Sequence, residues 1–259
     1  MGGHKLFLIL VITFLLVAAV GYFVNPQPLS PVAEPTSPTP AETQLSEAPA
    51  VEIDGQIYAY RLFETEKPDA IALIPNYSQK LTVNELVEMH GCRSAINAGF
   101  YDPDRRPLGL VTANGQNLAP PRKSSLLNGF FFITDTGVVG IADELPGANL
   151  TLGLQSGPLL VTEGSSVPLS LVTDEPARRS VLAITANSRL LAIIVYRKEA
   201  VFAGPLLSLL PEIVMAIAQK EGQTISAAVN LDGGSASAYH STDASLDELT
   251  PVGGLFCIR

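Results

Sequence analysis

The chain has 259 residues, of which 47% are hydrophobic, enough for one sizeable core, and a formal net charge of −9 from 16 Lys and Arg against 25 Asp and Glu. No long basic run occurs, which argues against nucleic acid as a partner. There is no Trp and the seven Tyr are scattered, which argues against an open sugar-binding face of stacked aromatics.

Leu6 to Val24 is an uncharged run of nineteen positions, long enough to span a bilayer. His4 and Lys5 precede it and no Lys or Arg follows before Arg61. The positive-inside rule then predicts a cytoplasmic N-terminus and an extracytoplasmic remainder, periplasmic or extracellular. A cleaved signal peptide is the alternative, but its apolar stretch is unusually long and no clean A-x-A site follows. Residues 1–24 are therefore expected to be a single-pass membrane anchor. Residues 25–50 hold seven prolines, three glutamates and no basic residue. Such a segment buries too little apolar surface to fold and predicts an extended spacer. The globular domain is expected over 51–259.

Within that domain, Asp54-Gly55 between two apolar-rich runs predicts a hairpin. A short strand is expected at 70–75. Thr82 and Glu85 make a capping box for a helix that runs to about His90 and stops at Gly91. The strand carrying Asn97 follows. Further strands and turns are read at 108–115, 129–142, 150–161 and 181–196. The strongest helical periodicity is Leu210, Ile213, Val214 and Ile217, with Pro211 in the first turn and Gly222 at the end. A strand over 225–231 and a last one over 254–258 complete the reading. Many hairpins with two or three helices predict an α+β fold with mixed sheets. Cys92 and Cys257 lack metal-type spacing; a disulfide and two separate buried thiols both stay open.

Two stretches end alike. The apolar run Ala227–Leu231 closes on Asp232-Gly233-Gly234-Ser235, and Ser94–Asn97 runs on through Ala98-Gly99-Phe100-Tyr101 to Asp102. Such runs deliver a carboxylate to a sheet edge, with glycines where the backbone turns or a ligand approaches. We expect them to form two walls of one site. His240 follows the Asp232-Gly233-Gly234 turn and is weighed as a weak acid–base candidate. His90 at a helix end suits the dipole. Arg105-Arg106 and Arg122-Lys123 read as solvated loop faces, the alternative being that they lend positive potential to the site. Clustered carboxylates would suit Mg²⁺ or Ca²⁺, but no known loop pattern matches, so no metal or cofactor is expected.

The motifs Asn97-Ala98-Gly99-Phe100-Tyr101-Asp102, Gln155-Ser156-Gly157-Pro158, Arg179-Ser180 leading a strand, and Asn230-Leu231-Asp232-Gly233-Gly234-Ser235 resemble, in family order, the phosphodiester glycosidase family. The likeness covers most of residues 70–259. Two positions depart from the family pattern: Ser235 replaces a third glycine, and Tyr101 replaces the second Phe of a pair. The resemblance implies a hydrolase that cleaves a glycosyl phosphodiester, in an envelope or exported glycan. Cleaving the sugar C1–O bond passes through an oxocarbenium-like state that carboxylates serve. Asp232 and Asp102 are the expected catalytic carboxylates. Arg179 is the expected phosphate clamp, because a guanidinium grips two phosphate oxygens in one plane; beside Arg178, the competing reading is a solvated basic pair. Asn97, Gly99, Tyr101, Ser156, Asn230, Gly233, Gly234 and Ser235 are expected to contact substrate or to orient those that do. A non-catalytic binder of phosphorylated envelope polysaccharide is the alternative.

Overall fold

The computed structural model describes residues 47–67 and 70–259. The expected anchor lies outside the described residues, among which no helix is long and apolar enough to cross a membrane. The last residues of the segment read as spacer belong to the fold: Pro49 O accepts from Tyr60 N at 2.9 Å and Ala50 pairs with Ala59.

The chain begins with β1 (Ala50–Ile53), β2 (Gln56–Thr65), β3 (Ile71–Pro75), α1 (Val83–His90) and β4 (Ser94–Asn97). Next come β5 (Val111–Ala113), β6 (Gln116–Ala119), β7 (Gly129–Thr134), β8 (Val139–Ala142) and β9 (Leu150–Ser156). Then follow β10 (Leu159–Thr162), β11 (Ser165–Ser166), β12 (Arg179–Thr185) and β13 (Leu190–Arg197). The last elements are α2 (Leu210–Lys220), β14 (Ile225–Asn230), β15 (Tyr239–His240), β16 (Ser245–Leu246) and β17 (Gly254–Ile258).

Local signals explain many boundaries. Asp54 and Gly55 both take positive φ, 51° and 71°, as the mirror-image turn of a two-residue hairpin requires. Thr82 and Glu85 complete the capping box, and Gly91 closes α1 in the left-handed region.

The strands form one seven-stranded sheet, β1-β2-β13-β12-β14-β10-β11, and two five-stranded sheets, β16-β15-β4-β17-β3 and β6-β5-β9-β7-β8. The α+β reading fits this architecture, but the expectation of mixed sheets is corrected, because every pairing among the described strands is antiparallel. The reason lies in two insertions. Strands β3 and β4, joined through α1, both pair with β17, and β13 and β14, joined through α2, both pair with β12. In each strand–helix–strand unit a third strand enters between the two and runs against both.

The continuous apolar run of β12 has partners on both faces. Leu182 and Ile184 enter a core with Ile96, Phe131, Leu154 and Phe256 from all three sheets. Val181 and Ala183, on the opposite face of the pleat, meet Leu210, Ile213, Val214 and Ile217 of α2. Each fully buried Val, Leu or Ile among them contributes about 1.5–3 kcal/mol. Helix α1 covers β4 and β17 with Val83 and Leu86. There the open question about the cysteines resolves as a disulfide, Cys92–Cys257, across 165 residues of sequence.

Candidate active site

The site forms where β14 ends. Strand β14 runs between β12 and β10, with Val181 opposite Asn230 and Leu231 N donating to Ser180 O at 2.8 Å. Continuing that antiparallel register places Arg179 across from Asp232. The loop after β4 meets the same point: Asp232 N donates to Ala98 O at 3.2 Å, and Asn97 Nδ2 donates to Asp232 O at 2.7 Å. The two glycine-bearing stretches are therefore joined directly.

Asp232 and Arg179 line one cleft of about 350 Å³, together with Phe100, Asp174, Glu175 and Gly233. Burial pushes the Asp232 carboxyl up to about 6, against the opposing pull of the Gly233 amide and the Arg105 guanidinium. The Gly233 N–H donates to Oδ1 at 2.9 Å. A Cβ on Gly233 would lie 2.9 Å from Arg178 O and 3.7 Å from Arg179 Nη1. A side chain there would press on the backbone beside the guanidinium, so the absent side chain keeps Arg179 and the turn close together.

Arg179 is held from behind. Its Nη2 donates to Glu175 O at 2.6 Å and its Nε to Pro205 O at 3.3 Å; Nη2 also lies 3.7 Å from Asp174 Oδ1. Nη1 makes no hydrogen bond among the described residues. Burial lowers the Arg179 pKa and Asp174 opposes the shift. Asp174 caps the turn before α2, accepting from Leu207 N at 2.7 Å and Ser208 N at 2.9 Å. Burial works against its charge, but those hydrogen bonds and Arg179 outweigh it and hold its pKa below the usual carboxylate range. One cleft thus holds two aspartates whose surroundings push their protonation apart.

Asp102 stands elsewhere. Its carboxylate accepts from Arg106 N at 2.9 Å and Nε at 2.8 Å, with its pKa lowered first by the Arg106 amide. It lines a different cleft, with Arg106 and Arg122. The two expected catalytic carboxylates therefore do not share a cleft.

Several expected substrate-contacting residues are taken up by the protein. Asn97, fully buried, accepts from Ser180 Oγ at 2.6 Å and Ala238 N at 3.0 Å, and donates to Ala98 O at 3.2 Å as well as to Asp232 O. Ser156, also buried, donates to Asn230 O at 2.6 Å. Asn230 Nδ2 donates to Gly157 O at 2.9 Å, while its Oδ1 is buried without a partner. Together they tie β14 to the point where the chain leaves β9 for another sheet. A Cβ on Gly157 would lie 2.2 Å from Leu126 O, so only glycine fits that crossing. Gly99 packs on Leu154. Tyr101 donates to Pro251 O at 2.9 Å, and Ser235 pairs with Thr250 Oγ1 at 3.1 Å. Of this group, Gly233 and Gly234 line the cleft. His240 lies on β15, paired with Ala95 and Ser245, away from it.

Two arginines depart from a solvated reading, which was the competing one for Arg178 and the expected one for Arg105. Arg178 is fully buried and donates to Ser237 Oγ at 2.7 Å and Asp247 O at 2.5 Å. Arg105 lies 4.1 Å from the centre of the Tyr101 ring. It donates to Asn76 O at 3.1 Å, Tyr77 O at 3.4 Å, Pro251 O at 2.7 Å and Val252 O at 2.8 Å. Orphaned carbonyls at segment ends consume their charge-assisted donors, a demand that pattern reading does not show.

Sequence reasoning missed Asp174, Glu175 and Tyr77. Burial raises the Tyr77 pKa, and both Arg105 and Asp232 act on it. The available signal was an acid pair four and five residues before Arg179. Among the described residues, no group of three or more His, Cys, Asp or Glu is placed to hold a metal ion.

A sequence model of the phosphodiester glycosidase family matches residues 90–256. No curated protein matches the chain. Among solved structures, the chain is similar to the zebrafish N-acetylglucosamine-1-phosphodiester alpha-N-acetylglucosaminidase catalytic domain auto-inhibited by its pro-peptide, with TM-score 0.63, 16% identity, and 82% of this chain and 81% of that one covered. It is also similar to a hypothetical protein from Synechocystis, with TM-score 0.57, 17% identity, and 82% of this chain against 61% of that one. A third neighbour is a putative exported protein from Burkholderia pseudomallei, with TM-score 0.50, 11% identity, and 83% and 76% covered. Identities this low show a shared fold.

Proposed function

The chain belongs to the phosphodiester glycosidase family, and on that premise we propose that it hydrolyses the bond between a sugar C1 and the phosphate oxygen of a glycosyl phosphodiester. The observation that carries the reading is the cleft itself: Asp232, half-buried and with its carboxyl pKa pushed up to about 6, lines the same space as Arg179.

The chemistry follows from the two charges. A group that titrates near the working pH is suited to moving a proton. Asp232 in its carboxylate form takes a proton from a water as that water's oxygen bonds to C1. The C1–O bond breaks and its electron pair leaves with the phosphate. A phosphate monoester is a weak base, so its departure asks for a cation more than a proton. The unengaged Nη1 of Arg179 serves there. Asp174, kept ionised, offsets the positive charge on the sugar ring, the role of a second carboxylate in an oxocarbenium-like transition state. Asp102 is left to hold its turn. The products are a reducing sugar and a phosphomonoester.

The same proposal places the domain outside the cytoplasm, tethered by residues 6–24, with an envelope or exported glycan as substrate. The Cys92–Cys257 disulfide supports an oxidising compartment.

The test is turnover of sugar-1-phosphodiesters by the full-length protein, beside Asp232→Asn and Arg179→Lys. Loss of roughly 10²–10⁴-fold in kcat for Asp232→Asn fits proton transfer by that group. Equal turnover by variant and parent removes Asp232 from the mechanism. Retained binding of a phosphorylated glycan with no turnover of any diester points instead to a binding protein.

A further inference from the structure

The Asp232 cleft is poor in positive charge. Arg179, the one cation in its lining, is already shared with Asp174, and Glu175 and Asp232 line the same walls. A phosphodiester, with a single negative charge, suits such a space; a second anion on the substrate does not.

A second cleft, of about 380 Å³, opens on the same loop and is lined by Asp102, Arg106, Pro107, Ala119, Pro120 and Arg122. The two clefts stand on neighbouring residues. Phe100 lines the first and Asp102 the second, and two residues span at most about 7 Å. Leu108 N donates to Phe100 O at 2.9 Å, and Tyr101 bridges to Pro107, which holds this loop in place.

The charges of the second cleft sort themselves. Arg106 takes up Asp102 at 2.8 Å and Asp104 at 2.8 Å. The side chain of Arg122 makes no hydrogen bond or ion pair among the described residues. Its main chain, by contrast, is pinned. Gln155, 2% exposed, accepts from Arg122 N at 2.8 Å and donates to Arg122 O at 2.7 Å. The same amide accepts from Leu110 N at 3.2 Å and donates to Leu127 O at 2.8 Å. A buried amide with its hydrogen bonds satisfied thus fixes the main chain from which an exposed, unpaired guanidinium projects, in a cleft also lined by Pro107 and Pro120. Such a fork is suited to an anionic oxygen pair.

We propose that the Arg106–Arg122 cleft is a leaving-group subsite that binds a second anionic group, phosphate or carboxylate, on the aglycone side of the scissile phosphodiester. The inference rests on the glycosidase reading and narrows it: the substrate class is a sugar phosphate chain with charges in series, not an isolated diester with a neutral aglycone. The substrate would then place its sugar at Asp232, its phosphodiester at Arg179 and its following anion at Arg122.

The test pairs two substrates that differ only beyond the scissile phosphate: a sugar 1-(methyl phosphate), and the same sugar 1-phosphate esterified to glycerol that carries a second phosphate. The full-length protein is compared with Arg122→Ala and Arg122→Lys. Glycerol phosphate binding is measured in parallel by calorimetry. For the doubly charged substrate, Arg122→Ala is expected to raise KM about tenfold with kcat unchanged, an effect that shrinks with added salt. Arg122→Lys is expected to restore part of it, and the methyl ester to be untouched. Equal KM changes for both substrates, or none, overturn the subsite while leaving the proposed reaction standing. If the parent turns over neither substrate, the glycosidase reading falls and the binding arm decides the subsite: glycerol phosphate binding that disappears in Arg122→Ala supports it, and binding that persists overturns it.

Discussion

The loops that carry Asp232 and Asp102 look alike in sequence and differ in surroundings. Each follows a short strand that ends in or near an asparagine, and each has glycine close by. Asp232 is drawn beneath the end of β12, loses water and keeps one amide donor on its carboxylate, so its protonated form is favoured. Asp102 folds back on its own turn and gains two donors from Arg106, so its charged form is favoured. The comparison teaches that a carboxylate's chemistry follows from the balance between desolvation and donors, which the flanking residues do not reveal.

The comparison is sharpest in paired variants. Asp232→Asn is expected to abolish most turnover, while Asp102→Asn stays within about tenfold of the parent, because its contribution is to loop geometry. Losses of similar size in steady-state assays would return Asp102 to the mechanism.

Asn97, which joins the two loops, should matter for stability more than for chemistry. Asn97→Ala strands Ser180 Oγ, Ala238 N and Asp232 O in the interior, and each buried unsatisfied group costs about 1–3 kcal/mol. A lowered urea midpoint of the full-length protein is the expected result. An unchanged midpoint would mean that the loops hold together without it.

The two aspartates should also have opposite effects on stability. Asp232 has a raised pKa in the folded state, from 3.8 to about 6. Its stabilising effect is present below pH 4 and is lost as pH rises through about 6. Removing its charge should therefore stabilise the protein at pH 8, by about 3 kcal/mol at roughly 1.4 kcal/mol per pKa unit. Asp102 has a lowered pKa, so its contribution is present above the ordinary aspartate range and fades as pH falls below it. Asp102→Asn should lower Tm at neutral pH and make no difference in strong acid. Thermal melts across pH would show whether the signs are opposite; curves shifting the same way would contradict the contrast.

The smallest effect expected is in the rate profile. With Asp232 as base, kcat/KM should rise through an apparent pKa near 6. Arg105→Gln removes a cation that lowers that pKa, so the limb should move to higher pH. A profile that does not move would show that Arg105 serves the fold alone.

The sequence by itself was sufficient for what depends on neighbours along the chain. The Asp54-Gly55 hairpin, the Thr82–Glu85 cap and the α2 periodicity were all legible, because backbone preference and apolar spacing act over a few residues. Tertiary structure alone decided the antiparallel pairing, since β17 and β12 insert between strands that the chain order suggested as neighbours. It also separated Arg178, buried on the carbonyls of Ser237 and Asp247, from Arg179, which faces the cleft, and it pinned Arg122 through Gln155 from β9. Burial and hydrogen-bond supply are set by segments distant in the chain, and they fix the charge and freedom of each side chain at the site.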